Sequence, residues 1–125
     1  MVFCMNELSE FLKTISDETR LRILALLFKK ELCVCEICDV LEESQPKVSR
    51  HLAKLRDAGF VRDDRQGQWV FYYVNFNNEG FTEIMKTIIN RIEEYPKLKK
   101  DLKKLTIKVS GDNLCKRAQQ GKEGK

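Results

Sequence analysis

A chain of 125 residues, 34% charged and 42% hydrophobic, has the composition of one globular domain. Its apolar runs are far shorter than the ~20 residues that span a bilayer, and residues 1–11 lack a signal-peptide pattern, so we expect a cytoplasmic protein without membrane contact. The net charge of +4 is uneven, because residues 44–68 contain six Lys/Arg against three Asp/Glu and residues 97–125 contain ten against three. This basic middle and tail favour an acidic polymer as partner, with nucleic acid first.

Four segments in the first half of the chain have the apolar spacing of amphipathic helices. The predicted helices span residues 6–15, 17–30, 34–43 and 45–57. The second is apolar nearly all round, which is typical of a central buried helix. Ser44 is the expected N-cap of the fourth helix, Pro46 lies in its first turn and Gly59 follows its end.

The chain then changes to strand-like residues. Residues 60–65 and 68–75 predict a β-hairpin, because the run WVFYYV is β-branched and aromatic. Gln66 and Gly67 form the expected tight turn, in which Gly67 accepts a positive φ.

A last apolar stripe of helical spacing covers residues 81–95, and Pro96 is expected to end or kink that helix. Residues 97–107 continue the amphipathic pattern. We therefore predict an α+β, mainly α, winged helix-turn-helix of order α-α-α-α-β-β-α over residues 1–108. A flexible basic tail is predicted for residues 109–125.

The fourth helix has a basic face that suits a DNA groove. Residues 44–56 contain four Lys/Arg and no acidic residue, and a helix in the major groove needs hydrogen-bond donors there without carboxylates. A solvated basic helix is the alternative, but the hairpin with a basic tip that follows favours double-stranded DNA. The predicted DNA-binding residues are Ser44, Gln45, Lys47, Ser49, Arg50, His51 and Lys54 on the helix, with Arg65 and Gln68 in the hairpin.

Three of the five cysteines are clustered at Cys33, Cys35 and Cys38. Three thiols without a neighbouring histidine suit a soft ion that is coordinated by three sulfur ligands, such as trivalent arsenic or antimony. On one regular helix Cys35 and Cys38 lie about 60° apart, whereas Cys33 lies about 160° from Cys35. Either Cys33 precedes the helix, or the first turn unwinds when an ion binds, and such a change would move residues 45–57 away from DNA.

Other interpretations of these cysteines remain open. Cys35 and Cys38 form a C-x-x-C pair that suits a thiol-redox enzyme, although the strand-then-helix setting is missing. Structural zinc in a protein-interaction module is a third interpretation, although four ligands are usual. The isolated Cys4 and Cys115 could each add a ligand. We expect a regulator, not an enzyme.

The runs DETRLRILALL, ELCVCEIC, SQPKVSRHLAKLRDAGFV and RQGQWVFYYV resemble the ArsR/SmtB family of metalloregulatory repressors, and most closely its arsenite-responsive branch. The resemblance covers about residues 6–76. It implies a repressor that binds an inverted-repeat operator through residues 45–57 and is released by As(III) or Sb(III), without an organic cofactor. By similarity, Cys33, Cys35 and Cys38 would be the ion ligands.

The resemblance also implies a homodimer built on the first and last helices. The apolar residues expected at that interface are Leu8, Phe11, Ile84, Ile88, Ile92 and Tyr95. Residues 81–95 lack the histidines of the zinc-sensing branch, which argues against a zinc site there. The cadmium and lead branch has additional N-terminal cysteines, and the single Cys4 leaves Cd(II) or Pb(II), as well as thiol oxidation, open as signals.

Overall fold

The computed structural model describes residues 5–110. Cys4, Cys115 and most of the predicted tail lie outside the described residues. The elements are α1 (Met5–Ile15), α2 (Glu18–Lys29), β1 (Leu32–Cys33), α3 (Val34–Leu41), α4 (Gln45–Asp57), β2 (Val61–Gln66), β3 (Trp69–Val74), α5 (Glu79–Asn90), a 3₁₀ turn (Ile92–Glu94) and α6 (Pro96–Ser110). This order of helices and a small antiparallel sheet confirms the predicted winged helix-turn-helix, in which α3 and α4 form the helix-turn-helix and β2 and β3 form the wing.

Helix starts follow local side-chain chemistry. The Asp17 carboxylate accepts the Arg20 backbone N–H at 3.1 Å and caps α2. The Ser44 hydroxyl accepts the Lys47 N–H at 3.4 Å and caps α4, as predicted. Each cap satisfies a backbone donor that the first turn of a helix leaves without a partner.

The sheet has three antiparallel strands in the order β1-β3-β2. Cys33 lies opposite Phe71, and Gln66 lies opposite Trp69, so the turn consists of Gly67 and Gln68 rather than Gln66 and Gly67. Gly67 has the predicted positive φ of 64°. The sequence did not predict β1, because a strand of two residues is too short to show alternation.

The C-terminal part contains two helices where one apolar stripe was predicted. The helix α5 ends at Asn90, the 3₁₀ turn follows, and Pro96 starts α6 at a position where its missing N–H costs nothing. Leu98 and Leu105 are buried where α6 packs against α2 and α3. The chain therefore folds α6 back over the helix-turn-helix.

The core surrounds α2, whose residues 23–26 have no exposed surface, and this confirms the predicted central helix. Beside α2 lies a cluster of four phenylalanines. Phe11 of α1 stacks on Phe81 of α5 with centroids 4.1 Å apart, and it meets the rings of Phe60 and Phe76 edge-on. The Phe11–Phe81 contact joins α1 to α5. Within residues 5–110, every helix is too short or too polar to act as a membrane span.

Candidate nucleic-acid interface and thiol site

The outer face of α4 presents the polar side chains that the sequence predicted for DNA. Ser44, Gln45, Arg50 and Lys54 are exposed, and Lys47 and Ser49 are half-buried. The Gln45 amide donates to the Ser49 hydroxyl at 2.8 Å, which orients both side chains at the N-terminal end of the helix. A helix presented in this way offers hydrogen-bond donors to the edges of base pairs.

His51 does not belong to this face, and the structure corrects that prediction. Only 8% of the residue is exposed, and its Nδ1 lies 3.4 Å from a guanidinium nitrogen of Arg20. The physical reason is helical spacing, because His51 lies three residues after Val48 and four before Leu55, on the buried side. Burial lowers the pKa of the His51 imidazole.

Arg65 and Gln68 are exposed near the tip of the wing. Both were predicted to contact DNA beside α4. Two acidic residues in β2 are also exposed. Asp63 lies 3.6 Å from the Arg56 guanidinium, and Asp64 accepts a hydrogen bond from Gln66 at 3.4 Å. These partners reduce the repulsion that the carboxylates would exert on phosphate.

Cys33 precedes α3 instead of belonging to it. It is the N-cap of α3 and the last residue of β1, with 3% of its surface exposed. Cys35 and Cys38 are half-buried on the helix. Cys33 and Cys38 are free thiols, whereas Cys35 is disulfide-bonded.

The described residues contain no group of three His, Cys, Asp or Glu side chains arranged to hold a metal ion. The three cysteines are therefore close in sequence but not assembled as a site, and the three-thiol site stays a prediction. Desolvation by burial raises the pKa of the Cys33 and Cys38 thiols. Both thiols accordingly favour the protonated form at neutral pH.

Glu36 lies in the middle of the cysteine cluster with 1% of its surface exposed, and it was not among the predicted residues. Its carboxylate accepts the Cys33 backbone N–H at 2.9 Å and fixes the start of α3. The signal was available, because a Glu three residues after a helix cap is the pattern of a capping box.

The cysteine segment connects the sheet that contains the wing to the turn before α4. At one end, Cys33 pairs with Phe71 of β3 in the wing sheet. At the other, the Cys38 carbonyl accepts the backbone N–H groups of Glu42 at 2.8 Å and Glu43 at 3.3 Å. Glu42 and Glu43 belong to the turn that leads into α4, so the backbone of Cys38 is joined directly to that turn.

Apolar side chains on α1, on α5 and in the segment between α5 and α6 form the candidate dimer surface. Leu8 is 39% exposed and Tyr95 is 40% exposed, whereas Ile84, Ile88 and Ile92 are half-buried. Phe11 requires a correction, since it has no exposed surface and its ring belongs to the protomer's own aromatic cluster. Leu12, four residues after Leu8 and 47% exposed, was missed and extends the same face.

Comparisons with known proteins agree with this architecture. Residues 17–63 match the model of the bacterial regulatory protein, arsR family. The chain is 56% identical over 85 residues to the arsenic resistance transcriptional regulator ArsR1 of Pseudomonas putida, covering 66% of each chain. It is 35% identical over 89 residues to an arsenical resistance operon repressor of Staphylococcus xylosus, covering 71% of this chain and 86% of that one.

Among solved structures, reduced HlyU from Vibrio cholerae is similar, with a TM-score of 0.62 and 34% identity. That match covers 66% of this chain and 85% of HlyU. Against three arsenic-resistance regulators, including the Pseudomonas putida protein, the chain spans 55 to 66% of their length.

Proposed function

Because the chain belongs to the arsR family of bacterial regulatory proteins, we propose that it is a transcriptional repressor released from operator DNA by As(III) or Sb(III). In this proposal the metalloid binds Cys33, Cys35 and Cys38. The observation that supports it most directly is the pair of hydrogen bonds that the Glu42 and Glu43 backbone N–H groups donate to the Cys38 carbonyl, because they join a proposed ligand to the turn of the helix-turn-helix.

Trivalent arsenic suits protonated thiols. Dissolved arsenite is As(OH)₃, and exchange with three thiols breaks three As–O bonds, forms three As–S bonds and releases three water molecules. Each thiol proton leaves on a hydroxide of the metalloid, so the reaction needs no free thiolate at the start. The disulfide at Cys35 must first be reduced by two molecules of a cellular thiol, which are joined to each other as a disulfide in its place.

Metalloid binding and DNA binding compete in this proposal because three sulfurs on one ion require a different backbone. Cys33 lies in β1 and Cys38 lies in the second turn of α3, and these positions do not form a site in the described structure. Drawing them together changes the start of α3, and with it the β1–β3 pairing and the turn before α4. A coupling of ~1–3 kcal/mol, typical of allosteric proteins, would weaken operator binding 5–150-fold.

A homodimer is the form we propose for DNA binding. Phe11 and Phe81 join α1 to α5, and in this proposal the exposed Leu8 and Leu12 form the dimer face together with the half-buried Ile84 and Ile88 of α5. A two-fold axis through this face would present two copies of α4 to two successive major grooves. The operator would then be an inverted repeat.

The test is metalloid-dependent release from DNA. A duplex is selected from a randomised library with the reduced wild-type protein, labelled, and titrated in the presence of a phosphine reductant. We expect As(III) to weaken binding at least fivefold. Cys38→Ser should bind the same duplex but not respond, while Lys86→Ala, an exposed change on α5, should respond normally. Unchanged affinity of the reduced wild type at saturating As(III) would contradict the proposal.

The disulfide at Cys35 favours a second candidate signal, which is thiol oxidation. The same labelled duplex distinguishes the two. Release by the thiol oxidant diamide without metalloid, and no release by As(III) under reducing conditions, would favour a redox-responsive repressor.

A further inference from the structure

The helix α6 lies outside the segment that matches the family model, and the proposed mechanism does not use it. It nevertheless packs on α2 and α3 and buries Leu98 and Leu105 there. Its contacts with the rest of the protein include one ion pair that is itself buried. That pair lies directly behind the turn of the helix-turn-helix.

The buried pair joins Arg22 of α2 to Asp101 of α6. Arg22 is 8% exposed and Asp101 is 2% exposed. Both carboxylate oxygens are engaged, at 2.7 Å from Nε and 2.9 Å from a terminal nitrogen of the guanidinium. A two-point contact of this kind fixes the plane of the arginine as well as its position.

The same guanidinium reaches the end of α3 and the turn that follows. A terminal nitrogen donates to the Leu41 carbonyl at 3.4 Å, and the other lies 3.8 Å from the Glu43 carboxylate. The second oxygen of Glu43 lies 3.1 Å from the ammonium of Lys47 in the first turn of α4. A continuous set of polar contacts therefore runs from Asp101 to α4, the proposed recognition helix.

The other residue of the turn is also attached to α6. Glu42 has a left-handed backbone with φ of 58°, which is uncommon for a residue with a side chain. Its carboxylate is paired with Lys104 of α6. Both acidic turn residues are thus held by α6, one directly and one through Arg22.

We propose that α6 positions the recognition helix, with Asp101 orienting Arg22 so that Arg22 sets the Leu41–Glu43 turn and the direction of α4. This inference rests on the proposed function, because it assigns α6 a part in operator binding. It predicts that weakening the Asp101 contact reduces selectivity for the operator more than general attraction to DNA. Phosphate contacts tolerate small changes of helix direction, whereas base contacts do not.

Two variants interrupt the contacts at different points. Asp101→Asn keeps the size of the side chain but removes its charge, and Glu43→Gln removes the negative charge through which Glu43 pairs with Arg22 and Lys47 at a half-exposed position. Lys99→Ala is the matched control, because Lys99 pairs with Glu93 of the 3₁₀ turn and lies outside the Arg22 contacts. Each protein is measured on the selected duplex and on a scrambled duplex of the same composition, under conditions in which circular dichroism shows native helix content.

We expect Asp101→Asn and Glu43→Gln each to lower the ratio of selected to scrambled affinity at least fivefold, and Lys99→Ala to leave it unchanged. The double variant should lose no more than the larger single loss, because both changes interrupt one set of contacts. In the absence of DNA, the amides of residues 42–48 should exchange hydrogen faster in Asp101→Asn than in the wild-type protein. The same amides should exchange at the wild-type rate in Lys99→Ala. If Asp101→Asn does not fold, the affinity ratio of Glu43→Gln alone decides.

An unchanged ratio in both folded variants, or an equal loss in Lys99→Ala, would overturn the inference while leaving the proposed function intact. Failure of the wild-type protein to select any duplex would instead refute the proposed function, and this inference with it.

Discussion

Replacing Leu8 and Leu12 together by alanine should separate dimerisation from folding. The two leucines are 39% and 47% exposed in the protomer. Full burial of a leucine contributes about 2 kcal/mol, so covering these fractions contributes about 1 kcal/mol per side chain. A two-fold interface contains each leucine twice, and alanine retains Cβ. We therefore expect the double variant to weaken the dimer by about 3 kcal/mol, or roughly 100-fold in Kd.

Sedimentation equilibrium over a range of protein concentrations measures this Kd directly. Ile107→Ala is the matched control, since Ile107 is 61% exposed on α6, away from α1 and α5, and should leave the Kd unchanged. Phe11→Ala should behave differently, because loss of a fully buried ring costs about 3–5 kcal/mol of protomer stability. A wild-type Kd in the leucine double variant, or a weakened dimer in Ile107→Ala, would show that the dimer uses another face.

Three further predictions concern pH, DNA and the ion. Burial gives the His51 imidazole a lower pKa in the folded protein than in the unfolded chain; the positive charges of Arg20, Arg50 and Lys47 lower this pKa further, and Asp17 raises it. The unfolded state therefore binds more protons than the folded state. The free energy of unfolding should accordingly fall as the pH drops below about 6.5. Urea titrations between about pH 5 and 8 should show a weaker pH dependence in His51→Gln, and an equal dependence would exclude His51 as its source. Arg50→Ala should weaken binding to the selected duplex by about 1–3 kcal/mol, and full affinity would remove Arg50 from the contacts. The binding constant for Cd(II) should rise by up to about 10³-fold for each pH unit, because three thiols must lose protons. The binding constant for As(III) should change little with pH. Equal pH dependence of the two binding constants, measured by calorimetry, would contradict the exchange reaction that releases water.

Much of the fold could be predicted from the sequence because the signals were local and repeated. The N-cap at Ser44 lies directly before an apolar pattern of helical period, and this fixed the start of α4. Gly67 similarly fixed the position of the hairpin turn to within one residue. Each of these signals lies within a few residues of the element that it predicts.

The failures involve long-range contacts. Phe11 fits an amphipathic pattern, but only packing shows that Phe81 stacks on its ring. The burial of His51, by contrast, follows from its helical spacing to Val48 and Leu55, and only its contact with Arg20 required the structure. The pair between Arg22 and Asp101 joins residues 79 positions apart, and no spacing rule connects them. The sequence of one helix does not distinguish the side that stays in contact with solvent from the side that a later helix covers.

The brevity of β1 has a consequence for the speed of a response. A strand of two residues is attached to the sheet by few backbone hydrogen bonds, so its detachment uncovers Leu32 and Cys33 but leaves the other residues of the core around α2 in place. Cys33 can therefore become accessible through local fraying while the phenylalanine cluster stays closed. We expect capture of an ion to proceed on the microsecond-to-second timescale of local opening, without a cycle of unfolding and refolding.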